Sequence, residues 1–462
     1  MRNLSTLDLA FFLFESEGSP KHVAGLLKCK KPANCPANFV RDLVEKMKSF
    51  DDVNEPFNLV INFVGWKGPH WEYCENISMD EHVFYHRPDK PISWLETEQI
   101  VASLHEPIMD RSKPLWEFHL IDNIKGGFFA VYAKLHHAYA DGITMTSWFG
   151  ESLSESAEDT ELVPFWTRKP KTRKRVEDKS SFLGKTIRGV KDLAWDQMLA
   201  TAGIAKLSAQ LSLEGVGITK KAVSLPFSAS KETPLTGSAS PGRRLATTFL
   251  TMDRVKRVCK ATRSTLNHVA LACIDGALHR YLADSGVFLD HPITIQMPVN
   301  LRKDGDTKTG NKLGIVLVEL AKPTNDPYIR LREIGYTLRN VRNQIDSVPG
   351  SSIEQYTILA AAAGELIEKL KLSDTLPAHG HTLVSNVPGP KNRLYINGAR
   401  VEEKYPISTL APGLHMNITL FSYAGQLHFG IVSTRDMKKL ENLARYIDEE
   451  FDIIENAVFN PE

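Results

Sequence analysis

The chain has 462 residues, 42% hydrophobic and 24% charged, a balance that suits a globular protein in water and a length that suits two or three domains rather than one core. Lys and Arg (56) nearly cancel Asp and Glu (55), so the net charge of +1 gives no general reason to expect nucleic acid. Five scattered cysteines without a close zinc or redox pair suit a reducing compartment, and no run approaches the roughly 20 apolar residues of a membrane span.

Taken in order, the N-terminal apolar run Leu9 to Phe14 is broken by Glu15 and is too short for a signal-peptide core. Any membrane contact is therefore expected to be peripheral. Residues 1–165 read as one α/β unit. Asn38 to Ser49 has Phe39, Leu43, Val44 and Met47 at helical spacing, His70 to Cys74 and His82 to His86 read as short strands, and Trp94 to Glu106 reads as a helix. A hairpin follows: Leu115 to Ile121, a turn over 122–127, and the apolar strand Phe128 to Leu135. Pairing across that turn places Pro114 and Trp116 roughly opposite Lys134 and His136.

That strand runs into Lys134-Leu135-His136-His137-Ala138-Tyr139-Ala140-Asp141-Gly142, and a helix is expected from Ile143 to Leu153. A strand that ends in a polar cluster before a helix is a common seat of chemistry. Neighbouring side chains on a strand point to opposite faces, so one histidine packs and the other works. Asp141 suits the tight turn, and Gly142 suits a positive φ or a close backbone approach. A His-His pair by itself is more often packing than catalysis. A metal reading is weak, because the side chains diverge and no third ligand stands at ligand spacing.

Residues 166–242 read as a crossover. Trp166 to Asp192 is rich in Lys and Arg, including Arg173, Lys174 and Arg175, and with Trp166, Phe182, Leu183 and Ile187 it is a candidate contact with anionic lipid or else a solvated linker. Asp192 to Leu213 is helical in pattern, and Ser228 to Gly242 is a flexible connector. The second half, 243–462, opens with a strand, Arg244 to Thr251. Helices are expected from Asp253, over Leu266 to Ala283 with Ser264 or Thr265 as cap, over Tyr328 to Asp346, over Ile353 to Leu370, and over Lys438 to Asn456. Strands are expected over Pro292 to Pro298, Leu313 to Leu320, Thr382 to Val387, Gly413 to Ser422 and Gln426 to Ser433. Asn267 falls in the first turn of its helix, where backbone N–H groups are unpaired. The small residues Ala360 to Gly364 either let a neighbouring helix approach or leave room for a substrate chain.

The His-His-x-x-x-Asp-Gly stretch resembles the active-site motif of the CoA-dependent acyltransferase superfamily, to which chloramphenicol acetyltransferase and peptide-synthetase condensation domains belong. The closer resemblance is to the bacterial wax ester synthase/diacylglycerol acyltransferase family. It is carried also by Leu4-Ser5-Thr6-Leu7-Asp8, Pro114-Leu115-Trp116-Glu117, Met297-Pro298-Val299-Asn300-Leu301-Arg302 and Ser385-Asn386-Val387-Pro388-Gly389-Pro390, in the family's order. Where the family usually has Asn-Asp, this chain has Asn267-His268, so only Asn267 is carried over. The resemblance implies two related α/β (α+β) domains, each a mixed sheet flanked by helices, joined by a helical crossover and meeting at a tunnel. It implies an acyl-CoA thioester and a fatty alcohol or diacylglycerol as substrates, with no metal and no resident cofactor.

It also implies that His137 is the base that takes the acceptor hydroxyl's proton, a task for which a neutral imidazole is suited near pH 7. His136, Asp141 and Gly142 complete the motif, with His136 and Asp141 in structural parts. Pro114, Leu115, Trp116, Asn267 and Ala360 are the candidate substrate contacts, although Trp116 reads equally as core. A cytoplasmic protein, peripheral at the inner membrane or at a lipid droplet, is the expected setting. Two rivals remain: a superfamily member acting on a polar or carrier-bound acceptor, and a non-catalytic lipid-inclusion protein.

Overall fold

A computed structural model of the chain describes residues 2–4, 6–63, 68–140, 142–169, 227, 229, 233–300, 313–348 and 350–460. Asp141, the Leu301-Arg302 pair, Phe182, Leu183, Ile187 and all the basic residues from Lys171 to Lys191 lie outside them, as does the helical pattern of Asp192 to Leu213.

The first half runs β1 (Arg2–Asn3), α1 (Thr6–Phe14), β2 (His22–Lys30), α2 (Phe39–Lys48), β3 (Leu59–Asn62), β4 (His70–Tyr73), β5 (Val83–His86), α3 (Trp94–His105), β6 (Trp116–Ile124), β7 (Phe128–His136) and α4 (Gly142–Glu151). The second half runs β8 (Arg243–Thr251), α5 (Met252–Thr262), α6 (Leu266–Ala283), β9 (Thr294–Asn300), β10 (Leu313–Glu319), α7 (Pro327–Asp346), α8 (Gly350–Lys369), β11 (Thr382–Val387), β12 (Tyr395–Ile396), β13 (Ala399–Ile407), β14 (Met416–Tyr423), β15 (Gln426–Thr434) and α9 (Leu440–Phe459).

Two six-stranded mixed sheets carry the fold, in the orders β12-β13-β2-β7-β6-β5 and β10-β9-β11-β14-β15-β8, beside a small sheet β1-β4-β3. In the first large sheet only β5 and β6 are parallel. In the second, β11 is parallel to both β9 and β14. β7 is apolar almost throughout because both of its faces are covered: Phe129, Val131, Ala133 and Leu135 join the core that includes α2 and Trp148 of α4, while Ala130 and Tyr132 face α3. The second sheet packs against α5, α6 and α9 in one large apolar core. Beneath that core, Arg330 and Glu450 form a buried ion pair close to Gly276. Burial pushes the nearby Asp275 carboxyl up to about 8, although Arg330 pulls the other way.

One strand breaks the symmetry of the halves. β13 belongs to the second half in sequence, yet it pairs with β2 in the first sheet, from Arg400 opposite Lys30 to Ile407 opposite Ala24. It passes so close to β15 that a Cβ on Gly430 would meet the Pro406 carbonyl. At the other large contact between halves, Trp94 Nε1 donates to Thr247 Oγ1 at 2.9 Å and Thr247 donates to Glu98.

The hairpin of β6 and β7 forms as expected, but its register is one residue away from the expected one. Trp116 stands opposite Leu135, and the Leu115 carbonyl accepts the His136 N–H at 3.0 Å. The pairing shifts between Ile121 and Ile124, beside Asn123 in the left-handed region, and that irregularity displaces everything upstream.

Candidate active site

The end of β7 delivers the two histidines into different surroundings. His136 is buried, its ring stacked on Phe12 at 4.5 Å. Its Nδ1 accepts the Ala138 N–H at 3.2 Å, which leaves Nε2 to carry the proton of the neutral ring, and Nε2 faces Glu15 Oε1 at 3.4 Å. His137 is half-buried and stacks on Phe11 at 4.5 Å. Consecutive aromatic residues of α1 thus back the consecutive histidines at the end of β7 and just beyond it.

Glu15, just past α1, is the centre of a polar cluster that the sequence reading missed. Its carboxylate is 1% exposed, accepts the Lys21 N–H at 3.0 Å, and takes Arg111 Nη2 at 3.0 Å on its other oxygen. Burial pushes this carboxyl up, but His136, the Lys21 N–H and the Arg111 guanidinium outweigh it and hold it at about 2. Lys21 carries the contact onward. Its carbonyl accepts the His137 N–H at 2.8 Å, and its Nζ reaches Ser19 at 2.8 Å and Glu365 of α8 at 2.7 Å. The only trace of this cluster in the sequence is a carboxylate ending an apolar run.

The Pro114-Leu115-Trp116 stretch does lie beside the histidine strand, and all three residues are buried. Leu115 packs with Phe12, Leu59, Trp71 and Ala138, and its N–H donates to the Tyr139 hydroxyl at 2.7 Å. Tyr139 in turn donates to the Leu59 carbonyl at 2.6 Å, so the loop after His137 is tied both to the residue that precedes β6 and to β3. Trp116 is 1% exposed, sandwiched between His82 at 4.3 Å and Trp166 at 4.9 Å, with its indole N–H on the Phe57 carbonyl at 2.9 Å. Its surroundings are those of a core residue. Trp166, a candidate either for shallow lipid insertion or for a solvated linker, is itself fully buried, because its flat ring completes that stack and its N–H reaches the Phe50 carbonyl at 2.9 Å.

Asn267 stands in the first turn of α6, exposed, and its Oδ1 accepts from Asn386 Nδ2 at 2.7 Å. The structure thereby joins two stretches more than a hundred residues apart. Thr265 is the cap: its hydroxyl takes the His268 N–H at 3.3 Å while His268 Nδ1 takes the Thr265 N–H at 3.3 Å. His268 fills the place that Glu or Gln usually takes in a capping box. Ala360 is half-buried on α8, Ala361 and Ala362 are exposed, and Gly364 turns toward Pro412, 3.4 Å from where a Cβ would stand. Gly142 begins α4, and a Cβ added there would meet nothing within 4 Å among the described residues, so of the two roles expected of it, a positive φ or a close approach, the second is not seen among them. Among the described residues no three His, Cys, Asp or Glu side chains are grouped to hold a metal ion, and no helix is long and apolar enough to cross a membrane.

The wax ester synthase/diacylglycerol acyltransferase catalytic-domain model matches residues 4–270, and the C-terminal-domain model of the same name matches residues 309–455. The chain is 30% identical over 471 residues to the O-acyltransferase WSD of Acinetobacter baylyi, covering 100% of this chain and 99% of that protein. It is 29% identical over 456 residues to a probable diacylglycerol O-acyltransferase of Mycobacterium tuberculosis, covering 98% of each. In fold it is similar to the wax ester synthase/diacylglycerol acyltransferase of Marinobacter aquaeolei, with a TM-score of 0.75 at 24% identity over 99% of both chains. It also resembles the first condensation domain of the CDA synthetase, with a TM-score of 0.60 at 14% identity over 100% of this chain and 96% of the other.

Proposed function

Since the chain belongs to the wax ester synthase/diacylglycerol acyltransferase family, we propose that it is an acyl-CoA:alcohol O-acyltransferase with His137 as its general base, making wax esters from fatty alcohols and triacylglycerols from diacylglycerols. His137 takes the proton of the acceptor hydroxyl, and the oxygen attacks the thioester carbonyl. The tetrahedral intermediate then expels CoA thiolate, which recovers a proton from the imidazolium. No covalent enzyme intermediate and no metal or cofactor enters this sequence. Asp141 holds the loop that carries His137, and Asn267 contributes a polar contact to the substrates.

The observation that carries this reading is the unequal treatment of the pair: His136 is enclosed by Phe12 and Glu15, whereas His137 stays half-buried on Phe11. The enzyme works at the cytoplasmic face of the inner membrane or on a lipid droplet, as a peripheral protein. The test is purified protein with palmitoyl-CoA, offered hexadecanol, diacylglycerol and a short polar alcohol in parallel, with released CoA measured. The long-chain acceptors are expected to be preferred, and His137→Ala is expected to lose at least about a hundredfold in turnover while folding normally. A folded His137→Ala protein with more than about a tenth of the wild-type rate would remove the base assignment.

A further inference from the structure

We propose that Glu15 is a positioning residue of this site, whose carboxylate fixes the Lys21 peptide and His136 and through them aims the His137 ring. The inference rests on His137 being the base. Both polar groups of the Lys21 main chain are committed: the N–H to Glu15 at 3.0 Å and the carbonyl to the His137 N–H at 2.8 Å. A displacement of the carboxylate is therefore passed to His137 through a single residue. The same carboxylate faces His136 Nε2 at 3.4 Å, which sets the side-chain plane of the neighbouring residue in the strand.

Arg111 closes the arrangement from outside, with one guanidinium nitrogen on Glu15 at 3.0 Å and on the Phe12 carbonyl at 2.9 Å. It ties the end of α1, and with it Phe11 and Phe12, to the residue that anchors Lys21. The lysine's own ammonium is held by Glu365, so α8 of the second half meets the histidine loop at this point. A buried charged group contributes little net stability, since an apolar group of the same volume often serves as well. What the carboxylate adds is direction: the Lys21 N–H and the Arg111 guanidinium converge on its two oxygens, His136 Nε2 faces one of them at 3.4 Å, and a base displaced by about 1 Å loses on the order of a hundredfold in rate.

Glu15→Gln keeps the size and an acceptor for Lys21 but removes the charge that draws in His136 and Arg111. Glu15→Asp keeps the charge with a shorter reach. The two variants are compared with wild type and His137→Ala by CoA release, KM for acyl-CoA, thermal midpoint, and the rate at which diethylpyrocarbonate modifies His137, followed by peptide mass spectrometry. Glu15→Gln is expected to lower kcat about tenfold or more with KM for acyl-CoA nearly unchanged, to speed His137 modification as the ring leaves Phe11, and to be worse than Glu15→Asp. A folded Glu15→Gln protein with unchanged kcat and unchanged His137 modification overturns the proposal. So does a parallel loss of kcat, KM and thermal midpoint with Asp no better than Gln, since that describes a structural prop. Full activity of His137→Ala would instead strike at the base assignment, and the modification rate would still decide whether Glu15 orients the ring.

Discussion

Glu98 offers a prediction whose size follows from the structure. It lies on α3, 4% exposed, hydrogen-bonded to Thr247 of β8 at 2.5 Å where the two halves meet. Burial pushes its carboxyl from 4.5 to about 8; the Thr247 hydrogen bonds oppose that, and Glu403 and Glu441 add to it. Below about pH 4.5 the group is protonated in the folded and the unfolded chain alike, and ionisation has no effect on stability. As the pH rises the unfolded chain releases this proton while the folded protein keeps it until about pH 8. The contribution of Glu98 to wild-type stability therefore falls by about 1.4 kcal/mol per pH unit across that window, up to about 5 kcal/mol in all. Glu98→Gln cannot ionise and removes the slope. Thermal midpoints of both proteins by circular dichroism, from about pH 5 to about pH 9, should show the Gln variant gaining on wild type as the pH rises and then levelling off, at about 1 °C per kcal/mol for a chain of 462 residues. A difference that stays constant with pH, or wild type gaining on the variant, would mean that Glu98 is ionised in the fold and would refute the reasoning.

Trp116→Phe removes a buried indole donor from the Phe57 carbonyl and should cost about 1–3 kcal/mol in urea denaturation with KM for both substrates unchanged; a raised KM would show substrate contact instead. Gly276→Ala places a methyl group on Arg330 and Glu450, and breaking that buried pair should cost about 3–5 kcal/mol, read as a lower denaturation midpoint with an unchanged m-value. His136→Ala should lower the thermal midpoint as well as the rate, because it removes the Phe12 stack and leaves the Glu15 carboxylate short of a partner; a stable but inactive variant would reverse the parts given to the two histidines.

Much of this architecture could be read from periodicity. The helices Asn38 to Ser49, Trp94 to Glu106 and Leu266 to Ala283 carry their apolar faces openly, and β7 announces itself as a run of buried residues. The strand β2 went unread, since His-Val-Ala-Gly-Leu-Leu-Lys-Cys-Lys does not alternate cleanly, with a glycine inside it and two lysines near its end. β13 was missed for a related reason: Ala-Arg-Val-Glu-Glu-Lys-Tyr-Pro-Ile carries three acidic or basic residues in succession, and only its seat between β2 and β12 makes it a strand. At the site, a motif can mark His136 and His137 but not what stands behind them. Glu15 and Lys21, Arg111, and Glu365 come from three separate places in the chain, and each is an ordinary charged residue until the fold brings them together.

The exchange of β13 bears on how the chain is made. A ribosome working at about 5–20 residues per second releases β2, β7, β6 and β5 well before it reaches Ala399. For that interval the outer edge of β2 has no β13 to pair with, and an open strand edge is a place where other chains can join. Newly made protein should accordingly be most vulnerable to aggregation in the stretch of synthesis before residues 399–407 emerge. A fragment ending at 242 should share that weakness permanently, whereas the same fragment supplied with the remainder of the chain in trans should regain solubility when β13 docks.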